Sequence, residues 1–134
     1  CIVLAIDAYK NQSNSKSGYN VSTHGGKKKT DIDALEWAIE GEKNGAGEIL
    51  LTSMNADGTK LGYDIELTSK ISKEVNIPVI ASGGAGKPID MVNVLNKGNA
   101  SAVLAASIFH FGIYSIENVK KEMLKYNIPV RKTW

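Results

Sequence analysis

Cysteine is nearly missing from this sequence: Cys1 stands alone among 134 residues. A single thiol excludes an internal disulfide framework and any multi-cysteine metal site. The expected setting is therefore a reducing, cytoplasmic one. An excess of one charge is missing as well. The 16 basic and 14 acidic residues leave a net charge of +2, which supplies no basic stripe for nucleic acid or for a membrane surface. No apolar run approaches the roughly 20 residues needed to span a bilayer, and no stretch reads as a signal peptide. What remains, 43% hydrophobic and 22% charged, is the balance of one globular domain with a real core. The chain opens directly on the strand-like run "CIVLAIDA", so it is expected to be a segment cut from a longer one.

Four continuous apolar runs, Ile2–Ile6, Ile49–Leu51, Val79–Ala81 and Ala102–Ala105, predict strands buried on both faces of a parallel sheet. A helical pattern follows each. Thr30 is the expected N-cap of the first helix, with Asp33 approximating a capping box. Its apolar stripe is Ile32, Leu35, Trp37, Ala38 and Ile39, and Gly45 stops it. Asp64 caps the second, with Ile65, Leu67, Ile71 and Val75 facing inward. The third runs from Pro88, a favoured first helical position, to Gly98. Ser115 caps the fourth, which buries Ile116, Val119, Met123 and, at its margin, Leu124.

Strand and helix alternating four times is α/β with right-handed crossovers. A faint repeat agrees: "KNGAGEILLTS" (43–53) aligns without gaps to "KGNASAVLAAS" (97–107). The polar stretch 9–30 is too long for an ordinary βα connection. Gly18 within it suggests a small hairpin over one face, or a lid.

The apolar runs end in Asp7, Thr52-Ser53, Ser82-Gly83-Gly84 and Ala106-Ser107. In parallel α/β folds these carboxyl ends share one face, where ligands bind. Asp7 reads either as a turn-capping carboxylate or as a general acid/base in a partly desolvated pocket. Asp57-Gly58 reads as ordinary turn chemistry or as a substrate contact. Glu48, at the opposite end of its strand, reads as a solvated charge unless something binds there. His24 and His110 are loop or short-helix residues, and Lys27-Lys28-Lys29 is a solvated loop run.

The glycines of "VIASGGAGK" (79–87) invite a phosphate-loop reading. A Walker A loop fails, because Ala81 stands where its first glycine is needed and Pro88 where it needs Ser or Thr. The dinucleotide pattern G-x-G-x-x-G fails at Ile89. A barrel-type phosphate cup survives, with Ser82–Gly84 as one wall and the short helix of "AASIFHFG" (105–112), led by Ser107, as the other.

Together "LAIDA", "THGGKKKT", "GAGEILLTSMNADGTKLGYD", "IPVIASGGAGK" and "AVLAASIFHF" resemble the C-terminal half of the cyclase subunit family of imidazole glycerol phosphate synthase. The resemblance spans nearly the whole chain, and five ordered motifs are far more specific than any one. It implies half of a TIM (β/α)₈ barrel, namely strands five to eight with their helices, residues 1–134 forming one fragment of a barrel domain. Asp7 then matches one of two catalytic aspartates. Thr52, Asp57 and Gly58 match substrate contacts, and Ser82, Gly83, Gly84, Ala106 and Ser107 match one of two phosphate cups. Glu48 matches a charged gate through which ammonia enters from a glutaminase partner, and the 9–30 stretch matches a hairpin overhanging the active site. Asn55 departs from the family's common Asp.

The second aspartate, a mobile loop with its lysine and the second cup belong to the other half. The implied reaction joins ammonia to a phosphoribulosyl-formimino carboxamide ribotide and yields imidazole glycerol phosphate and aminoimidazole carboxamide ribotide, and the resemblance implies no metal and no organic cofactor. Alone, the chain is expected to be inactive yet to bind phosphate, and to pair with the N-terminal half or with itself. Two alternatives stay open: half of the sister phosphoribosyl isomerase of the same pathway, and a non-enzymatic phosphate-binding α/β module.

Overall fold

Helix starts follow local chemistry. The Asp64 carboxylate accepts from the Leu67 N–H, and the Ser115 hydroxyl accepts from the Asn118 N–H. Pro88 opens its helix with φ already set, while the Asp90 carboxylate accepts from the N–H groups of Gly86 and Lys87 at 3.0 and 2.8 Å. The structure, a computed structural model, describes residues 2–132. Along the chain run β1 (Val3–Lys10), β2 (Tyr19–Thr23), β3 (Lys28–Asp33), α1 (Ala34–Lys43), β4 (Glu48–Ser53) and α2 (Ile65–Glu74). Then come β5 (Val79–Ser82), α3 (Pro88–Lys97), β6 (Ala102–Val103), the single-turn α4 (Ser107–His110) and α5 (Ile116–Lys125).

One six-stranded sheet is formed, in the order β3-β2-β1-β4-β5-β6. Strands β1, β4, β5 and β6 are parallel neighbours, and β2 lies antiparallel to both β1 and β3. The fold is thus α/β with a mostly parallel sheet, as expected. The polar stretch 9–30 is not a free loop: β2 and β3 extend the sheet at its β1 edge. Pairing with β2 carries β1 on to Lys10, four positions beyond the expected end at Ile6, so Asp7 lies within the strand. β6 is shorter than expected and stops at Val103.

Burial corrects the expectation of strands covered on both faces. In β1 and β4, Ile6, Ala8, Ile49, Leu51 and Ser53 are buried, while Val3, Ala5, Asp7, Glu48, Leu50 and Thr52 on the other face are not. All helices with buried side chains in the two core clusters pack on the first face. One cluster joins Ile6, Ile49 and Leu51 to Ala34 and Ala38 of α1 and to Leu67 and Ile71 of α2. The other joins Ala81 to Met91 and Val94 of α3, Ile108 of α4, and Val119 and Met123 of α5. Each fully buried aliphatic side chain contributes about 1.5–3 kcal/mol.

Three helix expectations change. Thr30 does not cap α1, because β3 runs through it; its hydroxyl donates to the Val21 carbonyl, and Asp33 is the cap, accepting from Leu35 and Glu36. Small Ala34 and Ala38 bring α1 onto the sheet, which leaves Ile32 and Trp37 partly exposed. Ile116, expected to be buried, is 60% exposed. Lys28 and Lys29 belong to β3 and not to a loop, with the Lys29 ammonium 4.9 Å from the Tyr9 ring centre.

Candidate functional site

The carboxyl ends of the parallel strands are held together by loop packing. Asp64 ties three elements. Besides capping α2, its carboxylate accepts from the Ser53 hydroxyl of β4 and the Tyr19 phenol of β2, both at 3.1 Å. Burial, reinforced by the Asp64 charge, pushes the Tyr19 phenol well above its ordinary pKa, so it stays protonated and donating. Asn55 receives the Lys10 N–H on its Oδ1 at 2.7 Å and so joins the end of β1 to the loop after β4. The hairpin turn reaches the same loop: a Cβ on Gly26 would fall on the Met54 Cε.

The loop after β5 lies directly on the loop after β4. Gly83 and Gly84 have φ of +90° and +100°, values that suit glycine. A Cβ on Gly84 would overlap the Gly62 carbonyl, and the Gly62 N–H donates to the Gly84 carbonyl at 2.8 Å. Beyond β6, Tyr63 donates to the Leu104 carbonyl at 2.9 Å, and burial raises that phenol's pKa, with the Asp90 charge adding to it.

These contacts enclose a cleft of about 140 Å³. Seven residues singled out from the sequence line it: Asp57 and Gly58 from the loop after β4, Ser82, Gly83 and Gly84 from the end of β5, and Ala106 and Ser107 at the start of α4. Lys60 and Leu104 also line it and are not among the residues the sequence singles out. Lys60 lies two residues beyond Asp57-Gly58, but its contacts with Gly86 and Phe111 are long-range. Leu104 gives no signal, since it reads as a plain strand residue.

Asp7 and Thr52 are outside this cleft. They are direct partners across β1 and β4, and Thr52 in turn faces Ser82 across β5. Inter-strand spacing puts Asp7 within about 10 Å of Ser82, at the margin of the cleft. Among the described residues the Asp7 carboxylate has no hydrogen-bond or ion-pair partner, and the Ser22 hydroxyl donates to its main-chain carbonyl at 3.2 Å. Glu48 faces Val3 at the other end of the sheet, away from this group.

Neither histidine lines the cleft. His24 is in the hairpin turn with its Nδ1 3.0 Å from the Thr23 Oγ1, and His110 stacks edge-on against Phe111. No group of three or more His, Cys, Asp or Glu able to hold a metal occurs among the described residues. No helix among them is long and apolar enough to cross a membrane.

The arrangement is a cleft floored by glycine backbone and lined by Ser82 and Ser107, with the Asp7 carboxylate, which has no partner among the described residues, at its margin. Sequence comparison adds the lineage. A Dehalococcoides mccartyi protein named "Imidazole glycerol phosphate synthase subunit HisF" is 60% identical over 131 residues, covering 98% of this chain and 50% of that protein. Proteins of the same name from Clostridium botulinum and Caulobacter vibrioides are 56% and 54% identical over 131 residues, 98% of this chain and 51% and 50% of theirs. The chain therefore spans about half the length of these relatives. Residues 1–115 match the family described as "Histidine biosynthesis protein". With that match extending over most of its length, the chain belongs to the histidine biosynthesis protein family.

Proposed function

We propose that this chain is the C-terminal half-barrel, strands five to eight, of an imidazole glycerol phosphate synthase cyclase subunit acting in the cytoplasm. One observation carries the reading: Asp7, Thr52 and Ser82 stand side by side on the uncovered sheet face, at the end where the cleft opens. A ribotide phosphate held by the Gly83, Gly84 and Ser107 backbone would leave its reacting portion over that row. Asp7 is the general acid/base there, working with a second aspartate from the absent half. Thr52, Asp57 and Gly58 orient the substrate, Ala106 completes the cup, and Glu48 lines the ammonia entrance facing a glutaminase subunit. The name borne by the relatives supports the cyclase over the sister isomerase.

The uncovered face also supports an absent half. Val3 is 48% and Leu104 42% exposed on it. The sheet has free ladder positions at both margins, on Val3–Ile6 of β1 and along β6. Free edges and exposed apolar faces call for a covering partner.

The test is ammonia-dependent turnover of the phosphoribulosyl-formimino carboxamide ribotide. The chain is measured alone and after co-expression with the N-terminal half of a relative. Activity is expected only in the pair. Full activity of the chain alone, or none in a well-folded pair, overturns the reading.

A further inference from the structure

Lys60 differs from every other residue around the cleft. It carries the one positive charge among the described lining residues, where Asp57 carries the one negative charge. Its main chain is clamped. The φ angle is +58°, and a Cβ on Gly86 would fall on the Lys60 carbonyl. Two residues on, the Gly62–Gly84 hydrogen bond fixes the same segment to the loop after β5. The side chain is free of such ties: Lys60 makes no ion pair among the described residues. Its ammonium rests 5.9 Å from the centre of the Phe111 ring.

Phe111 is the C-cap of α4 and is 69% exposed. The ammonium therefore spans from the wall after β4 to the wall after β6, held among the described residues by a weak, solvated cation–π contact. A phosphate oxygen in the cleft offers a shorter, charge-assisted hydrogen bond.

We propose that Lys60 is a mobile phosphate ligand, parked on the Phe111 ring when the cleft is empty and transferred to the phosphate when it is filled. The proposal rests on the phosphate reading of the cleft. A clamped backbone with a loosely held ammonium suits such an exchange, because only side-chain torsions need to change. The cost of leaving the ring sets how much of the binding energy is forfeited, so Phe111 tunes affinity without touching the ligand.

Calorimetric titration of the chain with inorganic phosphate tests this, with circular dichroism confirming that each variant is folded. Lys60→Met is expected to weaken binding about ten- to a hundredfold. Lys60→Gly, which suits the left-handed backbone, removes the charge without strain and is expected to do the same. Lys60→Arg keeps most of the affinity. Phe111→Leu is expected to tighten binding about two- to fivefold, a sign that a merely structural role would not produce. Wild-type affinity in both Lys60→Met and Lys60→Gly overturns the proposal and leaves the phosphate reading standing. Weaker binding in Phe111→Leu overturns the exchange. Absence of phosphate binding in the folded wild type removes the phosphate reading, and this proposal with it.

Discussion

Asp7 of β1 and Thr52 of β4 face one another across a parallel ladder, both half-buried on the side of the sheet that no helix among the described residues covers. A carboxylate placed there is fixed by regular backbone on two sides, by β4 and by β2, so its position does not depend on a loop. In a pair with the N-terminal half, Asp7→Asn is expected to lower ammonia-dependent turnover about 10²–10⁴-fold. Phosphate affinity should be retained, since Asp7 lies outside the cleft. Unchanged turnover would assign Asp7 a structural role.

Two glycines of the cleft separate backbone preference from close packing. Gly58 has φ +75° with nothing near its missing side chain, whereas Gly84 has φ +100° and meets the Gly62 carbonyl. Gly58→Ala is expected to cost about 1 kcal/mol. Gly84→Ala should cost about 2–4 kcal/mol and abolish phosphate binding, because the two loops must part. Denaturant unfolding of both variants measures the difference; equal losses would contradict the overlap.

Asp33 links folding to acid. Burial alone would raise its pKa, but hydrogen bonds from the Ser17 and Glu36 N–H groups and from the Ser15 hydroxyl outweigh this and hold it below the ordinary 3.8. A lowered folded-state pKa gives stability that is complete above the unfolded value and is lost as pH falls through the folded one. Stability of the wild type should therefore decline from about pH 5 downward. Asp33→Asn retains helix capping and should show a shallower decline, measured by thermal midpoints from about pH 6 down to about pH 2.

Tyr19 joins the hairpin to α2 through Asp64. Tyr19→Phe keeps the packing and removes the donor, at an expected cost of about 1 kcal/mol. Its phenol should also be absent from the tyrosines that ionise first in a spectrophotometric alkaline titration.

The parts legible in the sequence are those decided locally. Asp64, Pro88 and Ser115 start helices because their own side chains or rings satisfy or set the first turn. Glycines at 83 and 84 were recognisable as a close-approach loop, and the alternation of strands and helices placed them at the carboxyl ends of the parallel strands. Gly18 signals a hairpin in the polar 9–30 stretch, but its place in the sheet stays hidden, because it depends on a partner, β1, that reads as complete without it. Continuous apolar runs hid the one-sided burial: Val3, Leu50 and Ile80 look the same as Ile6, Leu51 and Ala81, and only the helix layer tells them apart. Lys60 was overlooked because its significance lies in contact with Gly86 and Phe111, both more than 20 residues away and invisible to spacing.

The hairpin has one more effect, on assembly. β2 is laid against β1 only from Asp7 to Lys10, so any strand added on that side must stop below it. The lower end of β2 acts as a ledge. An incoming strand can slide along Val3–Ile6 until it meets that ledge and no further, which limits its register in that direction. Slippage by two positions toward Asp7, otherwise permitted by the pleat, is blocked by the hairpin. Lengthening or trimming β2 would therefore shift the alignment of whatever completes the sheet, without altering a residue of the contact itself.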